Sequence, residues 1–230
     1  MRKRADGEGN ALALIVADEV LGNLVALCLR HAGCRSEIAT TVARARGRRT
    51  TALPALLVVD LSLGNGSAIS LLPAPRGLQA PPSIALVRPR DPWSSLEAFQ
   101  RGADQVITLP FTPDELAVRA FALLRRFKIA TEMRHAEALE GLDLNIDETV
   151  RIGARTHRLS PGQNSLLYLL AANAGRLISR REIRQLAWGR DAHASETDVA
   201  RQVDDLQELL GSVDGPRIES DRRGSVLLAS

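Results

Sequence analysis

Lysine is almost missing from this chain: 28 of its 30 basic residues are arginine, and only Lys3 and Lys128 are lysine. Cysteine is as scarce, with Cys28 and Cys34 the only two in 230 residues. Two thiols in or beside one predicted helix make neither a disulfide framework nor a metal cluster, and they read as reduced core groups. No apolar run approaches the roughly 18 residues of a membrane span, and the opening MRKRADGEGN lacks the apolar centre of a signal peptide. A cytoplasmic location and no membrane partner are the expectations. The four histidines, His31, His135, His157 and His193, are scattered and share no metal spacing. No Ser–His or Cys–His constellation for nucleophilic catalysis is visible, so neither an enzyme nor a cofactor is expected. Internal repeats and low-complexity tracts are also lacking.

What is present is ordinary for a globular protein: 45% hydrophobic and 25% charged residues. The length suits two domains of roughly 100 to 130 residues. The net charge of +3 is unevenly divided. Residues 1–128 carry 17 basic and 11 acidic side chains, and residues 129–230 carry 13 and 16. The basic surplus therefore lies in the first half, and the total charge is no argument for nucleic acid.

The hydrophobic pattern divides the chain at the same place. Ala11–Val16, Ser36–Ala39, Ala55–Asp60, Ser83–Val87 and Gln105–Thr108 read as short buried strands. Helical stripes over Val20–Ala32, Thr41–Arg49, Trp93–Arg101 and Thr112–Phe127 alternate with them, and a Gly-containing loop follows Asp60. Five βα units predict a doubly wound parallel sheet over 1–127, whose ligands would sit at the strand ends near Asp18 and Asp60. Phe127–Gly141 is Ala-rich and polar, which predicts a linker over 128–140 that prolongs the preceding helix. Beyond it come short antiparallel strands at Leu142–Ile146, Val150–Ile152 and His157–Leu159. Helices at Ser160–Asn173, Ser179–Ala187 and Ser195–Leu210 and a terminal hairpin at Arg217–Leu228 complete a winged-helix order over 141–230.

The segments Leu14-Ile15-Val16-Ala17-Asp18-Glu19, Leu57-Val58-Val59-Asp60-Leu61-Ser62-Leu63 and Gly102-Ala103-Asp104 through Leu109-Pro110-Phe111 follow one another at receiver spacing. Leu159-Ser160-Pro161, Asn173-Ala174-Gly175-Arg176 through Glu182, and Trp188-Gly189 follow in the second half. In order and spacing, from about Ala11 to Leu228, the chain resembles the winged-helix response regulators of the OmpR/PhoB family. The resemblance implies a five-stranded α/β receiver followed by a winged helix-turn-helix, and a DNA-binding transcriptional regulator.

It also implies chemistry that these residues supply only in part. Family receivers accept a phosphoryl group from a histidine kinase on an aspartate, here Asp60. They hold Mg2+ with two acidic residues after the first strand, here Ala17 and Asp18, with Glu19 the nearest substitute, and Ser62 would offer a carbonyl. The hydroxyl, lysine and aromatic positions that read the phosphate are here Val87, Leu109 and Val106. The acceptor position survives while charge and readout are lost, so Mg2+ and a kinase are both doubtful partners and phosphorylation-independent action is expected. Asp60 is then a partly solvated strand-end carboxylate, and Arg88 either reaches Asp18 and Asp60 or faces solvent.

Asp104, Glu115 and Arg119 match the family's receiver dimer interface. Ser95 and Gln105 depart from it, leaving Leu or Phe contacts to compensate in a homodimer. On the second domain, Arg201 and Gln202 suit base readout in double-stranded DNA. Arg180 and Arg181, with Arg222 and Arg223 in the wing, suit phosphates. The acids Asp205 and Glu208, with Gln207, stand on the reading helix where basic residues are usual. That favours a second reading, an adaptor whose acidic winged helix binds a protein. Residues 189–194, after Trp188, are the position from which the family contacts RNA polymerase.

Overall fold

The computed structural model describes residues 11–51, 53–73, 80–89, 92–188, 196–211, 216–221 and 226–229. The first half is built of β1 (Ala11–Val16), α1 (Glu19–His31), β2 (Cys34–Ala39), α2 (Val42–Thr51), β3 (Leu56–Asp60), β4 (Ser83–Val87), α3 (Pro92–Gln100), β5 (Gln105–Thr108) and α4 (Pro113–Arg126). The five strands are parallel in the order β2-β1-β3-β4-β5. Strand order reverses between β1 and β3, which opens the crevice where ligands of such sheets bind.

Side chains alternate across this sheet with period two, and both faces are covered, so the central strands are apolar throughout. Ala13, Ile15, Leu56, Val58, Ile84 and Leu86 join the core shared with α1 and α4. Leu14, Val16, Leu57, Val59, Ala85 and Val87 join a separate core that includes Ala45 of α2 and Ala98 of α3. The third crossover differs from the five regular βα units expected. Among the described residues it holds only a 3-10 turn, Ser67–Leu71, entered through the left-handed Gly66.

The second half begins with an antiparallel sheet of β6 (Ala136–Leu139), β7 (Leu142–Leu144), β8 (Thr149–Ile152) and β9 (Arg155–Arg158). Helices α5 (Pro161–Ala172), α6 (Arg180–Ala187) and α7 (Glu196–Gly211) follow, then a hairpin of β10 (Arg217–Ser220) and β11 (Val226–Ala229). Capping boxes start two of the helices. Ser160 and Gln163 satisfy the first turn of α5, and Ser179 and Glu182 that of α6. A surface helix keeps one polar face, but α5 is buried at every position from Asn164 to Ala171. It is covered by α6 and α7 on its own side and by α1 of the first half on the other. One hydrophobic cluster accordingly runs from Ile15 through Leu24 and Leu167 to Leu206.

The segment after α4 corrects an expectation. It does not prolong the helix, which stops at Arg126 with Lys128 in a left-handed turn (φ 57°). Tertiary contacts outweigh its helix-favouring composition. Phe127 and Ile129 pack on the shared core, the Thr131 hydroxyl donates to the Ala32 carbonyl, and Arg134 N donates to the His31 carbonyl at 2.9 Å. The segment then enters the second sheet as β6. Cys28 and Cys34 are both free and buried, and burial pushes the Cys34 thiol up to about 12.

Gly33 makes the sharp turn between α1 and β2 at φ +72°, and this segment packs against it, with the Glu132 carbonyl 2.8 Å from where a Cβ would stand. Replacing it with alanine (Gly33→Ala) imposes an unfavourable φ and a clash with backbone. The expected loss is about 1–3 kcal/mol, read as a lower urea midpoint at unchanged slope.

Candidate functional site

The crevice at the strand ends is shaped by three loops. β1 runs into buried Ala17, and Asp18 caps α1, its Oδ1 accepting from Leu21 N at 3.0 Å. Glu19 points away from the crevice and pairs with Arg176 of the second half at 2.6 Å. At the end of β3, Asp60 is 2% exposed, which corrects the expectation of a partly solvated carboxylate. Its Oδ1 accepts from Ser62 N (2.9 Å) and from the Ser62 hydroxyl (2.7 Å). Arg88 sits just past β4. Its Nη2 lies 3.5 Å from Asp60 Oδ2, and its Nε donates to the Ser62 hydroxyl at 3.3 Å.

Of the two places left open for Arg88, the structure puts it at the pocket, on Asp60 and Ser62 but not on Asp18. The hydroxyl and amide of Ser62 both donate to Asp60. Val87 and Leu109 are each 2% exposed and belong to the apolar cores on opposite sheet faces, while Val106 is half-buried. None of the three side chains offers an anion a donor or a charge.

These donors do not fit the Mg2+ centre that the resemblance implies. The cation needs several oxygen ligands converging in octahedral geometry. Asp18 is spent on a helix cap, Glu19 is drawn to another domain, and Asp60 already faces a guanidinium. The arrangement holds a buried carboxylate with an internal cation at 3.5 Å and two hydrogen bonds from Ser62.

The expected dimer face lies on α3, β5 and α4. Asp104 is engaged within the chain, its Oδ2 accepting from Ser83 N at 2.9 Å. Glu115 and Arg119 pair with each other along α4 at 2.9 Å. Trp93, Leu96 and Phe99 on α3 and Val118 on α4 are exposed on this side.

In the second half, α7 buries Val199, Val203, Leu206 and Leu210, the stripe its periodicity predicts. Arg201, Asp204, Asp205 and Glu208 are exposed, as is Arg181 at the start of α6, whereas Arg180 is half-buried. Gln202, expected to read bases, is half-buried. Its Oε1 is buried within 3.7 Å of the Gly162 Cβ position, in the corner that also holds the Trp188 indole nitrogen. Gln207 is drawn sideways, its Nε2 donating to the Ile218 carbonyl of β10 at 2.8 Å. Arg222, Arg223 and residues 189–194 lie outside the described residues. Trp188 packs on the core, as its residue type predicted.

Comparison with known proteins follows this division. Residues 154–224 match the family described as Transcriptional regulatory protein, C terminal. The transcriptional regulatory protein KdpE of Mycobacterium tuberculosis is 33% identical over 152 residues, 64% of this chain and 66% of the relative's length. The phosphate regulon regulator PhoB of Rhizobium meliloti is 29% identical over 93% of this chain and 96% of its own. The solved DrrB of Thermotoga maritima, described as an OmpR/PhoB homologue, is 20% identical and covers 95% of this chain and 98% of its own, with a TM-score of 0.44.

Removing the guanidinium leaves Asp60 buried with only Ser62 to satisfy it. Because Arg88 is itself 37% exposed, the pairing is partly screened. Arg88→Ala is expected to cost about 1–2 kcal/mol at neutral pH, roughly 2–8 °C in Tm. Pairing that substitution with Asp60→Asn should recover most of the loss, a coupling that a double-mutant cycle measures.

Proposed function

The chain is an OmpR/PhoB-type response regulator with a transcriptional-regulator C-terminal domain, and from that premise we propose that it binds double-stranded DNA and regulates transcription without phosphorylation at Asp60. The receiver then serves as a dimerisation or partner-sensing module. The observation that carries the independence is the closed pocket, in which Arg88 supplies Asp60 with the positive charge that a metal would bring. With that charge already in place, a phosphoryl group on Asp60 would have to displace Arg88 before it could favour another state.

DNA contact would fall to Arg201 on α7 and Arg181 on α6, both exposed and backed by buried apolar stripes. In a homodimer, Trp93, Leu96, Phe99 and Val118 would supply the area that intermolecular charge pairs supply elsewhere, since Glu115 and Arg119 are satisfied internally. One observation favours the adaptor reading: Asp204, Asp205 and Glu208 are exposed together along α7, where phosphates would repel them.

Duplex DNA selected from a random library by the purified chain, with binding titrated against salt, separates these readings. The regulator reading predicts a recovered sequence motif and log affinity falling linearly with log salt. Arg201→Ala should weaken the selected site by about 5- to 100-fold, the cost of a lost base contact. Asp60→Ala should bind it as the parent does. A flat salt slope, or no binding at low salt, would transfer the case to the adaptor.

A further inference from the structure

His31, the last residue of α1, has no exposed surface. It stands where the receiver, the connecting segment and the winged helix meet. Its Nδ1 lies 2.8 Å from the Arg134 carbonyl oxygen of the connecting segment. On the other side, Nε2 lies 2.7 Å from the Tyr168 hydroxyl of α5. The two rings pack at 5.7 Å between centroids, tilted by 43°.

The hydrogen-bond chemistry fixes the tautomer of the neutral ring. A carbonyl oxygen only accepts, so Nδ1 carries the proton; Nε2 is then the lone pair that accepts from the Tyr168 O–H. Both contacts are made by the neutral imidazole. A second proton would aim Nε2–H at the hydroxyl, turn the Tyr168 O–H away and place a charge on a ring with no exposed surface.

We propose that His31 is a proton-operated latch between the two domains: neutral, it ties α1 and the connecting segment to α5, and protonated, it loosens the seam at the C-terminal end of α1 so that the winged helix swings on the remaining ties.

The surroundings favour such loosening. Burial already holds the His31 imidazole below its ordinary value, against the opposing pull of the Arg134 carbonyl, and His135 of the connecting segment adds a like charge. The other titratable groups packed here are Tyr168 on α5 and Cys28 on α1, both pushed upward by burial and hence neutral. Asp114 at the start of α4 and Asp147 between β7 and β8 act on that Cys28–Tyr168 pair at a distance. With both ring nitrogens of His31 taken by the carbonyl and the hydroxyl, no carboxylate bonds the imidazole to hold its charge.

Beside the latch, a half-open crevice of about 240 Å3 lies between α1 (Asn23, Ala26, Leu27, Arg30) and α5 (Ala171, Ala172). At the far end of α1 the domains are tied by polar bonds that do not involve His31. Asn173 Nδ2 donates to the Val20 carbonyl at 3.2 Å, Asn23 donates to Asn173 Oδ1 at 3.0 Å, and Arg176 pairs with Glu19.

The open state takes a proton at the ordinary imidazole value of about 6.5, and the closed state only below it. Closure is therefore fully favoured above that pH and weakens as the pH falls through it. Small-angle X-ray scattering of the full chain from pH 8 to pH 5, with far-UV circular dichroism at each point, reads the seam and the fold separately. The expected result is a radius of gyration that rises below pH 6.5 while the dichroism holds. His31→Gln keeps one donor and one acceptor but cannot take a proton, so its radius should stay flat. Tyr168→Phe removes the bond that favours the neutral ring, so its midpoint should move upward. A parent chain that stays compact to pH 5 would overturn the latch. So would His31→Gln opening over the same range, or an expansion that coincides with loss of dichroism.

Discussion

The burial of α5 is the constraint on which the rest of the arrangement depends. A winged-helix domain alone would leave part of its first helix to solvent. Here Asn164 to Ala171 are buried without interruption, because α1 of the receiver lies across the face that α6 and α7 leave uncovered. Separating the halves completely would return part of the apolar surface of α1 and α5 to water, and each such side chain costs about 1.5–3 kcal/mol. The two domains are joined as parts of one core. The strand β6, the turn at Gly33 and the bonds from Thr131 and Arg134 follow from that seam, since the connecting segment must run along the end of α1.

The seam also fixes what stays free. Receiver contacts fall on α5, β6 and the connecting segment, while α7 packs on α5, α6 and β10. The reading helix therefore keeps its exposed face in the docked state, and the α3–β5–α4 side of the receiver is uncovered as well. Electrostatics at the strand ends point the same way. Arg88 brings its charge to Asp60 from within the chain, and Glu19, the nearest substitute for a second metal ligand, is spent on Arg176. Both charges that a ligand at the strand ends would call on are engaged within the chain.

Much of this was legible in the sequence, and the reasons are physical. Strands buried on both faces, such as Leu56–Asp60 and Ser83–Val87, read as apolar runs whatever lies beside them. The stripe Val199, Val203, Leu206 and Leu210 is a property of one helix. Asp60 and the apolar Val87 and Leu109 are placed by spacing alone. What could not be read depends on two segments meeting. His31 has no neighbour in sequence that marks it, and Tyr168 lies 137 residues away. Arg176 resembles one more arginine near a reading helix until Glu19 is seen beside it. Gln202 has the right residue type for a base contact, but the corner between Gly162 and Trp188 draws its oxygen inward. The connecting segment has the composition of a helix, yet the cost of leaving Phe127 and Ile129 off the core exceeds its local preference.

Central to this account is an acceptor position already neutralised by Arg88. The most direct measurement is the intact mass of the full chain after incubation with a small-molecule acyl phosphate and Mg2+. The closed pocket predicts an unchanged mass for the parent chain. A gain of one phosphoryl group in the parent, absent from Asp60→Ala, would contradict it.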